Sequence, residues 1–274
     1  MRHALILFAL FPAFAAASDC RYEARRDFDV DAAGLKTLAL RIGSSDLVVE
    51  GVPGLAKVEV RGRACASNAE WLEGLRVDQK RSGDRLEIAP HQNQDQRWSW
   101  FESSYAFVDL ELRVPAALAV ELRSGSGDAR IRNVASLDYD GSSGDLRVDK
   151  VAGPVTLSLS SGDVDGGDIG SLAVRSVSSG DLSLRDIRGD VTIDRVGSGD
   201  VSLDNVGGSV TVGRVGSGDV RISHVDRGVG VGSLGSGDVT VSDVGGDFTV
   251  RSKGSGEVRH RGVRGKVDVP RDDD

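Results

Sequence analysis

The sequence predicts an all-β fold, a flattened two-sheet parallel β-solenoid with about 19 residues per rung and an irregular N-terminal cap carrying a short helix. Three observations predict it. A tetrad is written three times, as Ser198-Gly199-Asp200-Val201, Ser217-Gly218-Asp219-Val220 and Ser236-Gly237-Asp238-Val239. Its acidic position recurs at Asp128, Asp145, Asp163, Asp181, Asp200, Asp219, Asp238 and, as a variant, Glu257, with successive spacings of 17, 18, 18, 19, 19, 19 and 19. Within a repeat, apolar residues fall at Val201, Leu203 and Val206 and again at Val210, Val212 and Val215, two half-repeats offset by 9 residues. Finally, 36 glycines, 6 prolines and 5% aromatic residues describe a turn-rich chain without a large aromatic core.

Alternation in steps of two is strand periodicity, and Val and Ile suit a pleated, half-buried surface. One repeat is therefore two short strands and two turns. So short a pair cannot bury its apolar face alone and must stack on its neighbours, about 4.8 Å per rung, giving a rod of roughly 34 Å from Asp128 to Glu257. Gly207-Gly208 and Gly245-Gly246 mark the second turn, where a positive φ would be cheap.

In chain order, Met1 to Ala17 has a basic start at Arg2, an apolar run from Ala4 to Phe14 and Ala15-Ala16-Ala17 as a small-residue cleavage site, the pattern of a signal peptide. The run is shorter than the about 20 residues that span a bilayer. The expected mature protein is exported, periplasmic or extracellular, with no transmembrane segment. Cys20 and Cys65, the only cysteines, are expected to pair there. Ser18-Asp19 lacks the small apolar residues that lipidation of Cys20 would want. A formal charge of -8 excludes nucleic acid as the expected partner, since phosphate binding needs a basic footprint.

Residues 18–123 read as the cap with the first, degenerate rungs, residues 124–269 as the regular solenoid and residues 270–274 as an acidic tail. Leu38, Leu40 and Ile42 alternate as a strand, and Gly43-Ser44-Ser45-Asp46 is a degenerate tetrad. Val58 to Arg63 forms another strand. Ser67-Asn68-Ala69-Glu70 has capping-box spacing before Trp71, Leu72 and Leu75, which predicts a short helix over the open end of the stack. Arg81-Ser82-Gly83-Asp84 is a hairpin turn between two further strands. Strands resume through Val108, Leu110 and Leu112 and through Leu118, Val120 and Leu122. At the far end His260 takes a core-column position, and Pro270 with the acids after it guards the last edge.

His91 to Tyr105 breaks the pattern. Arg97, Trp98, Trp100, Phe101 and Tyr105 gather there in a polar stretch of a chain with only three Trp. Such residues either stack on sugars or anchor a protein partner, or else fold back as a satellite core over the cap.

The signal-peptide pattern, Val114-Pro115 leading through Leu122 into Ser124-Gly125-Ser126-Gly127-Asp128, and the serial Ser-Gly-Asp-Val units together resemble the bacterial putative adhesin family, exported β-solenoid domains of the auto-transporter-adhesin-like kind. The resemblance covers most of residues 35–269 and implies a fold and a surface or envelope role, with a glycan or an envelope protein as partner. It brings no active site.

For chemistry, the acidic ladder is the sharpest feature. Carboxylates stacked about 4.8 Å apart repel by roughly 1 kcal/mol per neighbour in water. Turn amides and Ser hydroxyls can relieve that, making Asp128, Asp145, Asp163, Asp181, Asp200, Asp219, Asp238 and Glu257 a structural turn ladder. Calcium is the alternative, but the GGxGxD order is missing and the second turn carries no regular acid. No cofactor or metal is expected, because His3, His91, His224 and His260 form no metal-spaced cluster. GxSxG, HExxH and phosphate-loop motifs are absent from the sequence. A non-enzymatic interaction protein is the first reading; a polysaccharide-acting β-helix is the enzyme alternative, against which the near-identity of the rungs argues. Thr156, Thr192, Thr211 and Thr249 form an outward column explained by strand propensity.

Overall fold

The computed structural model describes residues 20–91 and 105–270. It is 65% strand and 3% helix, and stacked parallel coils of about 19 residues form a β-solenoid of about 8 turns. A typical coil shows why. β16 (Val201–Val206) buries Val201, Leu203 and Val206, and β17 (Val210–Val215) buries Val210, Val212 and Val215. Each strand lies in parallel register on its equivalent one coil away, so Val201 meets Val220 of β18 (Val220–Val225) and Val210 meets Val229 of β19 (Val229–Leu234). The side chains meet between two sheets as columns of Val, Leu and Ile that run the length of the rod. At roughly 1.5–3 kcal/mol per buried aliphatic side chain, those columns are the main source of cohesion.

One sheet runs through β3 (Thr37–Ile42), β9 (Ala119–Ser124), β11 (Ser136–Gly141), β15 (Val191–Val196), β17, β19, β21 (Phe248–Lys253) and β23 (Val267–Asp268). The other contains β4 (Leu47–Val52), β10 (Ala129–Arg132), β14 (Leu182–Ile187), β16, β18, β20 (Val239–Val244) and β22 (Val258–Val263). Two long strands, β12 (Leu146–Leu159) and β13 (Val164–Val177), bend from the second sheet into the first, with a register shift between Val151 and Pro154 where β12 turns the corner.

At the N-terminal end the order of coils departs from the order of the chain. β3 and β4 form a coil whose neighbours on one side are β7 (Arg85–His91) and β8 (Ala106–Pro115), and on the other β9 and β10. The chain thus makes an inner coil first, goes out to build the one beneath it, and then steps past the inner coil to continue the rod. Ala116 marks that step, its N–H donating to the Val52 carbonyl at 3.2 Å. Beneath the lowest coil the ladders become antiparallel. β5 (Lys57–Ala66) covers β8, β6 (Arg76–Ser82) covers β7, and β1 (Tyr22–Arg25) and β2 (Phe28–Asp31) cover β5.

The predicted helix is α1 (Ala69–Gly74), and its cap is one residue later than the spacing suggested. Asn68 is the N-cap, its side chain accepting the Glu70 N–H at 2.9 Å, in place of the Ser67 box. Ser67 instead anchors Tyr105: its N–H donates to the Tyr105 carbonyl at 2.9 Å and its hydroxyl accepts the Tyr105 N–H at 3.3 Å. Two Arg26 N–H groups close the other end on the carbonyls of Leu72 and Leu75.

The second-turn glycines are explained differently from the sequence-based expectation. Gly207, Gly208, Gly245 and Gly246 all lack a positive φ; a Cβ on Gly245 would sit 2.2 Å from the Asp226 carbonyl of the coil below. Close stacking of backbone on backbone excludes a side chain there. The same holds in the first turn, where a Cβ on Gly218 would lie 2.0 Å from the Gly199 carbonyl.

The left-handed conformation is taken instead by Asn133, Lys150, Asp168, Asp186, Asn205, His224 and Asp243, with Gly262 continuing the column. Each occupies the last gap before the third apolar residue of its half-repeat. One left-handed residue there breaks the alternation, and the gap of two it creates returns the next side chain to the core. Asn, Asp and Gly tolerate this region best.

Candidate functional site

The acidic turn column is a continuous chain of side-chain to main-chain hydrogen bonds. Oδ1 of Asp128 accepts the N–H of Asp145, whose Oδ1 accepts the N–H of Asp163, and so on through Asp181, Asp200, Asp219, Asp238 and Glu257, at 2.8–3.0 Å. The column continues down through the degenerate tetrad at Asp46 and reaches one coil beyond it. Asp128 donates its N–H to Asp46, and Asp46 donates to Asp109, both at 3.1 Å. Asp109 carries no tetrad and is invisible as a ladder member in the sequence. The residue after each acid then donates to the main-chain carbonyl of the next acid, as Val201 does to Asp219 at 2.8 Å. Relief of the stacked charge therefore comes from the amide of the next acid in the column.

The second oxygen of several ladder acids meets a cation on the same face. Arg221 bridges Asp200 and Asp219 at 3.4 and 2.9 Å, Arg259 bridges Asp238 and Glu257, and Arg63 holds Asp109 at 2.9 Å. The second turn, expected to lack regular acids, uses two in the same way: Asp190 accepts the Ser209 N–H at 2.8 Å and Asp247 the Lys266 N–H at 2.7 Å. Among the described residues no group of three or more His, Cys, Asp or Glu is placed to hold a metal ion.

Two sites interrupt the uniform coils. Tyr139 fills a core column otherwise held by aliphatic residues; room for its ring comes from Ser124 and Gly141, small residues in register where Ile42 and Leu159 stand in neighbouring coils. Its hydroxyl donates to the Gly144 carbonyl at 3.3 Å, and burial pushes its pKa up to about 12, so it serves as a packed neutral phenol. His224, exposed in the left-handed column, has Nδ1 2.7 Å from Oδ1 of Asp204, which also accepts the Ser223 hydroxyl at 2.6 Å. The Asp204 carboxylate raises the imidazole pKa, and the Ser223 hydroxyl and His224 lower that of Asp204. His260 stands in register with Val241 of the core column but is exposed, its ring 6.0 Å from that of Phe248.

Of the residues singled out for partner binding, Arg97, Trp98, Trp100 and Phe101 lie outside the described residues, and Tyr105 is the foot on which their stretch returns to the fold. Cys20 and Cys65 are joined in a disulfide with Cα atoms 5.7 Å apart. The Tyr105 hydroxyl accepts the N–H of Arg21, next to Cys20, at 3.1 Å, and its ring lies 6.1 Å from that of Phe107, the residue paired with Cys65. Arg21 in turn places its guanidinium 5.8 Å over the ring of Tyr22, which is exposed at 37%. The disulfide thus gathers Arg21, Tyr22, Tyr105 and Phe107 at one corner of the cap. Sequence reading missed Arg21 and Tyr22, since it takes the Cys20–Cys65 bond and the pairing of β1 and β8 on either side of β5 to bring them beside residue 105. The other foot, His91, has Nδ1 3.1 Å from an Asp78 carboxylate oxygen.

A coiled parallel sheet stapled at its N-terminal cap and carrying a turn ladder defines a β-solenoid module without a metal cluster among its described residues. The profile of the Toastrack DUF4097 family matches residues 68–242, more than half the chain, and the protein belongs to that family. No curated protein matches it. Similar solved structures include a "putative adhesin" from Bacteroides fragilis (14% identity, 91% of this chain and 98% of that one, TM-score 0.39). A "putative adhesin" from Parabacteroides distasonis has 15% identity, 91% and 97% coverage and a TM-score of 0.43. A "putative lipid binding protein" from the same organism has 13% identity, 91% and 97% coverage and a TM-score of 0.44. Among the described residues no helix is long and apolar enough to cross a membrane.

Proposed function

We propose that this protein is a non-enzymatic, exported interaction module of the cell surface or envelope, adhesin-like, that engages a glycan or an envelope protein through its N-terminal cap. The observation that carries this reading is the disulfide-pinned corner. Arg21, Tyr22 and Tyr105 converge there from the two ends of the cap, and Trp98, Trp100 and Phe101 are reached from it within a few residues. Aromatic and Arg side chains carry a large share of interface energy where a partner can desolvate them. Along the rod, by contrast, the turn carboxylates are engaged by main-chain amides in coil after coil, which supports a scaffold role for the ladder.

The test is a Trp98→Ala, Trp100→Ala double variant assayed against immobilised envelope and plant polysaccharides and against whole bacterial cells. Retained strand signal with lost binding is expected. Intact binding per folded molecule with a markedly lower melting temperature would make the stretch a satellite core. Release of soluble product from any of the polysaccharides would replace the interaction role with an enzymatic one.

A further inference from the structure

The two ends of the rod are finished differently. At the N-terminal end β5, β6, β1 and β2 cover the lowest coil. At the C-terminal end β22 pairs only with β20 and β23 only with β21, and among the described residues nothing pairs with their outer edges. Val258, Val263, Val267 and Val269 are left half-buried there. The charge changes abruptly at the same place. Residues 232–250 hold three acids and no Lys or Arg, whereas residues 251–266 hold six Lys or Arg and one acid in a chain of net charge -8. Arg259 is tied to Asp238 and Glu257, and Lys266 to Asp268, but Arg251, Arg261 and Arg264 are exposed and make no ion pair with another described residue.

We infer that this open end binds an extended acidic polypeptide segment from a partner protein by strand addition along β22. The repeat itself shows what such a strand meets. In each coil the residue after the ladder acid donates its N–H to the next coil, as Val239 does to the Glu257 carbonyl at 2.9 Å. Val258 holds that position in the last coil, and its N–H faces the open edge. Main-chain pairing supplies affinity in this mode, and the side chains flanking the edge select the sequence. Arg261 and Arg264 select carboxylates, and the same cations repel the like-charged end of a second copy. An open row of main-chain donors and acceptors is satisfied by a strand and is poorly matched to the apolar part of a bilayer, which disfavours a lipid surface.

The experiment uses the full chain and a fluorescein-labelled synthetic decapeptide of alternating Val and Glu, with alternating Val and Lys as control, read by anisotropy. Saturable binding of the Glu peptide alone is expected. Arg261→Glu with Arg264→Glu should weaken it by about tenfold or more with the melting temperature unchanged. Val258→Pro, which removes the donor and none of the solenoid's own ladder bonds, should weaken it comparably. Wild-type affinity in a folded Val258→Pro variant would show adsorption by charge alone and overturn the inference; if that variant does not fold, the arginine pair decides. Binding of phosphatidylglycerol vesicles without binding of the peptide overturns it in favour of a membrane. Peptide binding that appears only after removal of residues 271–274 would make the chain's own acidic tail the occupant and also overturn it.

Discussion

Asp219 illustrates how the ladder holds a column of like charges. Its Oδ1 accepts the Asp238 N–H at 3.0 Å, and its Oδ2 faces Arg221 at 2.9 Å, so each oxygen has its own donor. What the coil requires is an acceptor at that point, more than a charge. Asp219→Asn keeps the acceptor and removes one repulsive neighbour, and is expected to stay within about 0.5 kcal/mol of wild type. Asp219→Ala leaves a half-buried amide without its partner, and a loss of about 1 kcal/mol is expected in urea unfolding. Equal losses for the two variants would mean that charge, and not the acceptor, matters. His224 allows a second test at this scale. Its pKa is raised by Asp204, so its stabilising contact is complete below the unfolded value of about 6.5 and fades as pH rises through the higher folded value. Because the ring is exposed, the effect is a titration more than a stability change. Imidazole resonances followed by NMR should show a midpoint above about 6.5 that falls toward it in Asp204→Asn.

At the scale of elements, β1 and β2 depend on their attachments. Both are largely exposed; they are held by the antiparallel ladder to β5, by ion pairs from Lys57 and Arg61 to Asp29, and by the Cys20–Cys65 bond. The disulfide closes a sequence separation of 45 residues, for which loop-closure entropy gives a stabilisation on the order of 3 to 4 kcal/mol. Reduction should lower the unfolding midpoint accordingly and expose the β1 segment to protease before the coils open. Thiol titration of the unreduced, denatured protein should find no reactive thiol, and two would contradict the bridge. The corner of Arg21, Tyr22 and Tyr105 depends on the same bond, so reduction should weaken partner binding even where the rod stays folded.

The whole molecule is a nearly one-dimensional stack on a base that is not one-dimensional. In the regular coils each repeat touches only its neighbours, so stability should be close to a sum of coil and interface contributions. Ending the chain after Val250 should therefore shorten the rod and lower its melting temperature without abolishing the strand spectrum. Deleting residues 20–52 should abolish it, because that removes β3 and β4 from between two other coils and leaves β8 and β10 with no shared partner. Circular dichroism of the two truncations decides this; a folded N-terminal deletion would show that the lower coils can close directly on each other.

The sequence by itself determined the repeat, the two strands per coil, the columns of Val, Leu and Ile, the short helix and the tight turns. These are local periodicities, and a side-chain period of two or a turn every nine residues can be read without knowing what lies above or below. The pairing of Cys20 with Cys65 followed from their being the only two. Only the tertiary structure decided which coil lies on which. Every coil presents similar edges, so nothing local says that the coil of β3 and β4 slips between that of β7 and β8 and that of β9 and β10, or that Asp109 continues the ladder below Asp46. The reason for a glycine was equally hidden: a positive φ and a carbonyl 2.0 Å from where a Cβ would be both call for Gly, and only stacked backbones show that Gly218 answers the second. The left-handed turn fell instead to Asn205 and His224, where side chains that tolerate it return the following valine to a core that the neighbouring coil completes.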